Sequence, residues 1–169
     1  MILIKYINLG AVFLITFYIG YLLSKQYSQR VLELKELQTA LTLLETKIKF
    51  TYEPLPEIFL QMEAMLEGSI KLLFKKINEK LKESSLQVAI EEAIKLTPLS
   101  LINEDKIILN DLAKTLGKTD KEGQVSQIEL SLSFLNSQVK KAEKEEEKNA
   151  KLYKTLGATI GMAFAILLF

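Results

Sequence analysis

Residues 6–24 read YINLGAVFLITFYIGYLLS, with no charge, and after Lys154 the chain runs uncharged again, TLGATIGMAFAILLF, to residue 169. At a rise of about 1.5 Å per residue, a helix over the first stretch nearly spans a hydrocarbon core of about 30 Å. The second covers about 22 Å, or about 27 Å when counted back to Leu152 with the Lys154 ammonium snorkelling to the headgroups. Both are read as transmembrane helices. A cleaved signal peptide would have a shorter apolar region and a small-x-small site, and none occurs before Lys25. A buried core helix rarely ends a chain with charge absent from every face. The expected organisation is a span in 1–24, a cytoplasmic helical domain in 25–154, and a second span in 155–169.

All 21 acidic residues and, Lys5 excepted, every Lys and Arg lie in the middle segment, which is therefore close to neutral. Nothing there supplies the basic excess that a phosphate backbone attracts, so nucleic acid is not an expected partner. Lys144, Lys148, Lys151 and Lys154 crowd one side of the second stretch and no basic residue follows it. The positive-inside rule then places the middle domain in the cytoplasm and both termini outside. His, Cys and Trp are all absent. Disulfides, thiolate nucleophiles, Cys or His metal sites and imidazole acid–base chemistry are excluded with them, and no cofactor or metal is expected.

The middle segment shows helical periodicity throughout and no alternation of the strand type. Leu34, Leu37, Leu41, Leu44 and Ile48 form a seam at steps of three and four that continues the first span. Val125, Ile128, Leu132, Leu135 and Val139 repeat the pattern in a helix leading through KKAEKEEEKNAK into the second. Tethered to one membrane and opposite in direction, the two are expected to pack antiparallel. Lys141/Glu145 and Glu147/Lys151 have the spacing of pairs along one face.

Four shorter helices fill the interval. Pro56 suits the first turn of one whose stripe is Leu55, Phe59, Met62 and Leu66, and Gly68 ends it. The next, over 70–82, carries Lys71, Lys75, Lys76, Lys80 and Lys82 around an apolar stripe. Such a face can lie on a membrane or dock an acidic partner, but it is expected to meet Glu57, Glu63 and Glu67 of its neighbour. Ser84 and Gln87 have capping-box spacing for a fourth helix ending before Pro98. Asn103 is the expected cap of a fifth, over 103–116. The fold class is all-α: about six helices in a bundle between two transmembrane helices.

Gly-Lys-Thr at 117–119 ends like a phosphate-binding loop, but the glycine that loop needs five positions earlier is Leu112, and the preceding segment is helical. Gly117 suits the left-handed residue that ends a helix, and Thr119 or Asp120 the cap of the next. Gln124, one turn on, has no capping role in this reading. The stretch is a corner between helices, and nucleotide binding is not expected.

The stretch LNDLAKTLGKTDKEGQVSQIELSLSFL, 109–135, resembles the Leu-Gly-x-Ser/Thr-Asp-x-x-x-Gln signature of the stage III sporulation protein AB family. LQTALTLLETKIKFTYEPLPEIF (37–59) resembles that family's N-terminal helix and Pro-Leu turn, and KLYKTLGATIGMAFAILLF its C-terminal span. Lys47 departs from the acidic residue expected after LET. The resemblance implies a cytoplasmic helical domain similar to the F-type platform proteins of type II secretion and type IV pilus machines. It implies a non-enzymatic connector in the mother-cell membrane of an endospore former. There it would join a cytoplasmic secretion-type ATPase to ring-forming membrane proteins of the mother cell-to-forespore channel. Gly117, Asp120 and Gln124 are the candidate docking corner.

Two other classes compete. A carboxylate hydrolase would draw on Glu91, Glu92 or Asp111, but adjacent Glu91 and Glu92 point to different helix faces. A generic coiled-coil membrane scaffold or sensor fits the same periodicity, and a homo-oligomer is compatible with it. In the second span Gly157, Gly161 and Ala165 recur every fourth residue, a small-residue face that favours close helix approach in lipid.

Overall fold

The computed structural model describes residues 2–51 and 53–167, without the side chains of 2–10, 12, 13, 150, 154, 157, 158, 161 and 164–167. Every regular element among the described residues is helical. In chain order they are α1 (Ile2–Phe50), α2 (Leu55–Met65), α3 (Gly68–Lys80), α4 (Leu86–Leu96), α5 (Asn103–Thr115), α6 (Lys121–Glu145), a π turn (Glu146–Ala150) and α7 (Lys151–Leu167). Both stretches expected to span a membrane are helical. Among the described residues, however, no helix is long and apolar enough to cross a membrane. Residues 6–10, 12 and 13 of the first stretch are described in backbone only, as are Gly157, Gly161 and Ala165 of the second, and residues 168 and 169 lie outside the described residues, so the small-residue face read there is not described. The chain divides into two compact units, Met1–Val31 with Lys141–Phe169, and Leu32–Lys140.

The second unit holds the core. Leu34, Leu37, Leu41, Leu44 and Ile48 are all buried, so the seam read in α1 is the inner face of that helix. Against it pack the inner faces of the short helices: Ile58, Phe59 and Met62 of α2, Ile70, Leu73, Phe74 and Ile77 of α3, Ala89, Ile90 and Ala93 of α4, and Ile108, Leu109 and Leu112 of α5. The Phe59 and Phe74 rings meet at 5.8 Å, tilted by 49°, within the centroid range at which aromatic pairs attract. Fully burying side chains of this size contributes about 1.5–3 kcal/mol each before chain entropy is charged against it. Lys49 of α1 shares a groove with Lys121, Glu122, Val125, Ser126 and Glu129 of α6. The end of α1 therefore lies beside the first turns of α6.

Several local expectations are corrected. The inner face of α6 within this unit is Ile128, Ser131, Leu135 and Val139, while Val125 and Leu132 are only half-buried. A 3.6-residue period drifts away from a strict three-four alternation, and small Ser131 can face inward because its hydroxyl bonds the Gln127 carbonyl at 2.9 Å. Ser84 does not cap α4. Ser85 is the N-cap residue and makes no side-chain cap bond, while Ser84 Oγ donates to the Lys80 carbonyl at 2.9 Å. Ile102, not Asn103, precedes α5, and its N–H donates to Asp105 Oδ2 at 3.1 Å. Asp105 is fully buried there. The lysines of α3 do not take the carboxylates of α2 in the ion pairs among the described residues: Lys76 pairs with Glu79 of its own helix, Lys80 pairs forward, and Glu63 is taken by Asn78. Lys80 Nζ lies 2.8 Å from Glu92 Oε2 on α4, and Asn78 Nδ2 takes Glu63 at 2.7 Å. Lys47, the departure from the family pattern, bonds Glu53 at 3.3 Å.

Glu33 and Glu36 sit on α1 beside the short helices. Glu33 is 1% exposed, and its Oε2 accepts from the Ser100 N–H at 2.7 Å in the segment joining α4 to α5. Burial first, then the charges of Glu33 and Glu67, hold the Glu36 carboxyl above the usual carboxylate range. The native state therefore keeps a proton at Glu36 that the unfolded chain has released, and stability falls as pH rises from about 4.3 through the raised value. Glu36→Gln is accordingly expected to raise the urea midpoint at pH 7. The gain should vanish below about pH 4, where both states are protonated. A gain that persists there would show that Gln packs better and that charge has no part in it.

In the first unit α1 is bonded to the last turn of α6. Arg30 is buried, and its Nη1 donates to Glu145 Oε2 at 2.6 Å. Tyr27 and Tyr153 stack at 5.9 Å with 19° between their planes. Among the described residues neither Lys141/Glu145 nor Glu147/Lys151 forms. Glu145 is taken by Arg30, and the π turn at Glu146–Ala150 inserts a residue that rotates the following side chains off the four-residue spacing.

Candidate partner-docking corner

α5 ends in apolar residues that face the core: Leu109, Leu112 and Leu116 are buried, and the Leu116 N–H still bonds the Leu112 carbonyl. The chain must reverse there to begin α6. It does so at Gly117, whose φ of +78° lies in the left-handed region that glycine enters without strain. A Cβ at this position would stand 3.2 Å from Leu55 Cδ1, so that side chain would have to give by a few tenths of an ångström. Gly-Lys-Thr is thus a turn between two helices.

Asp120 caps α6, its Oδ1 accepting from the Gly123 N–H at 2.9 Å, three residues on. Glycine in the first turn of a helix is ordinarily unfavourable by about 1 kcal/mol relative to alanine. Here a Cβ on Gly123 would lie 2.8 Å from that same Asp120 oxygen and 3.1 Å from Thr119 Oγ1. The glycine makes room for the cap, which explains a residue that sequence reading passed over. An unexplained glycine one turn past an Asp was the available signal.

Gln124 corrects the sequence reading most directly. Its Oε1 accepts from the Gly117 N–H at 3.1 Å and its Nε2 donates to the Thr119 carbonyl at 3.0 Å. The side chain reaches back from α6 and ties both sides of the turn. Gly117, Asp120 and Gln124 are therefore brought together as one hydrogen-bonded corner, and all its bonds are at the surface.

Beside the corner lies an open groove of about 310 Å³, walled by Leu55, Pro56 and Phe59 of α2, by Leu81, Ser85 and Leu86, and by Leu116 and Gly117. Its lining is mostly apolar, with exposed Ser85 at the mouth. Lys118 Nζ donates to Gln87 Oε1 at 2.9 Å across its edge. Sequence periodicity marks Leu55 and Leu81 as parts of helix stripes, but not as parts of one groove, since that depends on how α2, α3 and α4 pack.

The carboxylates weighed for hydrolysis hold separate partners. Glu91 accepts from Gln87 at 3.0 Å, Glu92 pairs with Lys80, and Asp111 pairs with Lys114 at 2.7 Å. Among the described residues no group of three or more His, Cys, Asp or Glu is placed to hold a metal ion.

Fold and corner define an all-α helical bundle with an apolar groove beside a tightly bonded turn. The chain belongs to the stage III sporulation protein AB family, whose model matches residues 5–169. It is 31% identical over 166 residues to stage III sporulation protein AB of Bacillus subtilis (strain 168), covering 95% of this chain and 97% of that protein. A solved structure of stage III sporulation protein AB (SpoIIIAB) superposes with a TM-score of 0.66 at 27% identity, covering 71% of this chain and 98% of its own.

Proposed function

We propose that the chain is a non-enzymatic platform of the mother cell-to-forespore channel. It is anchored in the mother-cell membrane by two spans, with its middle domain cytoplasmic and both termini outside. The domain connects a cytoplasmic secretion-type ATPase to membrane ring components. Membership of a sporulation family supports the setting. The observation that carries the connector role is the corner. Three residues of the family signature, Gly117, Asp120 and Gln124, share one hydrogen-bonded turn at the edge of an exposed apolar groove, Gln124 bonding both Gly117 and the Asp120 carbonyl. A turn tied down by side-chain hydrogen bonds at the edge of an apolar groove suits a docking surface, where preorganisation lowers the ordering cost of binding. The uncharged stretches at 6–24 and after Lys154 support the anchoring, and the lysines around the second support the orientation.

Ser85→Trp tests the groove. Ser85 makes no side-chain cap bond, so the change is expected to leave folding intact while an indole fills the mouth. The variant should accumulate normally, lose spore formation, and no longer copurify with the ATPase. Lys118→Ala, at the rim, is the control expected to behave as wild type. Normal sporulation and ATPase retention by Ser85→Trp would remove the groove from the docking surface. Topology is read separately: a reporter fused after residue 169 should report the non-cytoplasmic side, and one inserted near Gly117 the cytoplasmic side. A cytoplasmic signal at both positions would refute the two-span arrangement.

A further inference from the structure

The inner faces of α4 and α5 meet in the core, but their outer edges leave an open cleft of about 750 Å³. Three lysines line it, Lys95 on α4 and Lys106 and Lys114 on α5, together with the carboxylates Glu91 and Asp111. The carboxylates are occupied: Glu91 by the Gln87 amide at 3.0 Å, Asp111 by Lys114 at 2.7 Å. Lys95 and Lys106 enter no ion pair among the described residues. In the same cleft Ile107 is 54% exposed, an apolar side chain left in water beside two unneutralised cations. Asn110 also lines it, and its Oδ1 is closed off from solvent without a hydrogen-bond partner among the described residues. Burying an acceptor in that state is unfavourable unless some occupant supplies a donor once the amide turns outward.

We propose that this cleft is a second docking surface, distinct from the corner, and that its occupant is an acidic amphipathic helix of a partner protein. A small inorganic anion would neutralise the lysines but leave Ile107 wet. A purely apolar ligand would cover Ile107 but strip water from two ammonium groups without compensation. A helix with apolar residues at steps of three and four, flanked by carboxylates, satisfies both demands together. The complementary charge speeds association and excludes basic partners.

The test uses the full-length chain and a fluorescein-labelled synthetic helix with leucines on one face and glutamates on the others. A second peptide keeps the leucines and replaces every glutamate by lysine. The acidic peptide should bind, and binding should weaken as salt is raised. The double change Lys95→Glu with Lys106→Glu should weaken it about tenfold or more. Ile107→Ser should also weaken it, while Lys140→Glu, elsewhere on the surface, should not. Lys95→Gln with Lys106→Gln removes the charge without reversing it. Unchanged binding by that variant, at an unchanged melting temperature, overturns the proposal. So does failure of the acidic peptide to bind, or equal binding of the lysine peptide. If wild-type chains self-associate in sedimentation and the double variant disperses them, the occupant is a second copy and the separate partner is overturned. Ser85→Trp should bind the peptide as wild type does, so failure here and failure of the corner as a docking site are read independently.

Discussion

Gly117→Val is expected to lower stability by about 1–3 kcal/mol through backbone strain alone, with further loss from crowding. The residue holds φ at +78°, where a β-branched side chain is strongly disfavoured. The new Cβ would meet Leu55 Cδ1 at 3.2 Å, tight enough that the leucine must shift within the groove wall. Relaxing φ toward negative values would move the Gly117 N–H away from Gln124 Oε1 and open the corner. The measurement is the urea midpoint of the purified protein, read beside its abundance in cells. A midpoint equal to wild type would mean that the turn has a low-energy alternative. Gln124→Ala supplies the comparison. It removes two surface hydrogen bonds, each worth about 0.5–1.5 kcal/mol, and leaves φ free to stay where it is. It should therefore destabilise less than Gly117→Val. A sporulation defect in Gln124→Ala counts toward docking only after this loss of stability is matched by an equally destabilised variant elsewhere.

Glu33→Ala is the second large effect, expected at about 1.5–3 kcal/mol. The carboxylate lies on a long helix, almost wholly buried, and reaches the Ser100 N–H 67 residues away. That amide belongs to the segment between α4 and α5, which has no helical ladder to satisfy it. Removing the acceptor leaves the N–H short of a partner and leaves space where the side chain was. Amide exchange should accelerate in 98–102 ahead of the rest of the domain. Glu33→Gln keeps an acceptor of the same reach and should lose less. Equal losses for Ala and Gln would indicate that the charge itself, and not the bond to Ser100, supports the fold.

These two positions differ in how readable they were. Gly117 announced itself, because a glycine following a helical stripe and preceding an Asp is a local signal of chain reversal. Glu33 gave no signal: one acidic residue among many in a helix, it is distinguished only by the loop that settles over it. The same division runs through the corner. A cap at Thr119 or Asp120 was expected because capping is a matter of three residues. Gln124 was named for the docking corner without a bonding role, because its partners lie seven and five residues back, across a turn whose path had to be known first.

The sequence by itself determined that the chain is helical, where most helices begin and end, which face of α1 is inner, and that the Gly-Lys-Thr triplet is a turn. Its residues also carried the family resemblance. Each of these rests on interactions within one or two turns, or on a period that repeats along a single helix, and such information is written locally. Tertiary structure alone decided that Lys80 pairs with Glu92, that Asp105 and Glu33 are buried, that Ser131 faces inward, and that α2, α3 and α4 leave a groove beside the corner. These depend on which helix faces meet and at what rotation. A shift of about 100° per residue around a helix axis changes every such neighbour while leaving the hydrophobic pattern almost the same.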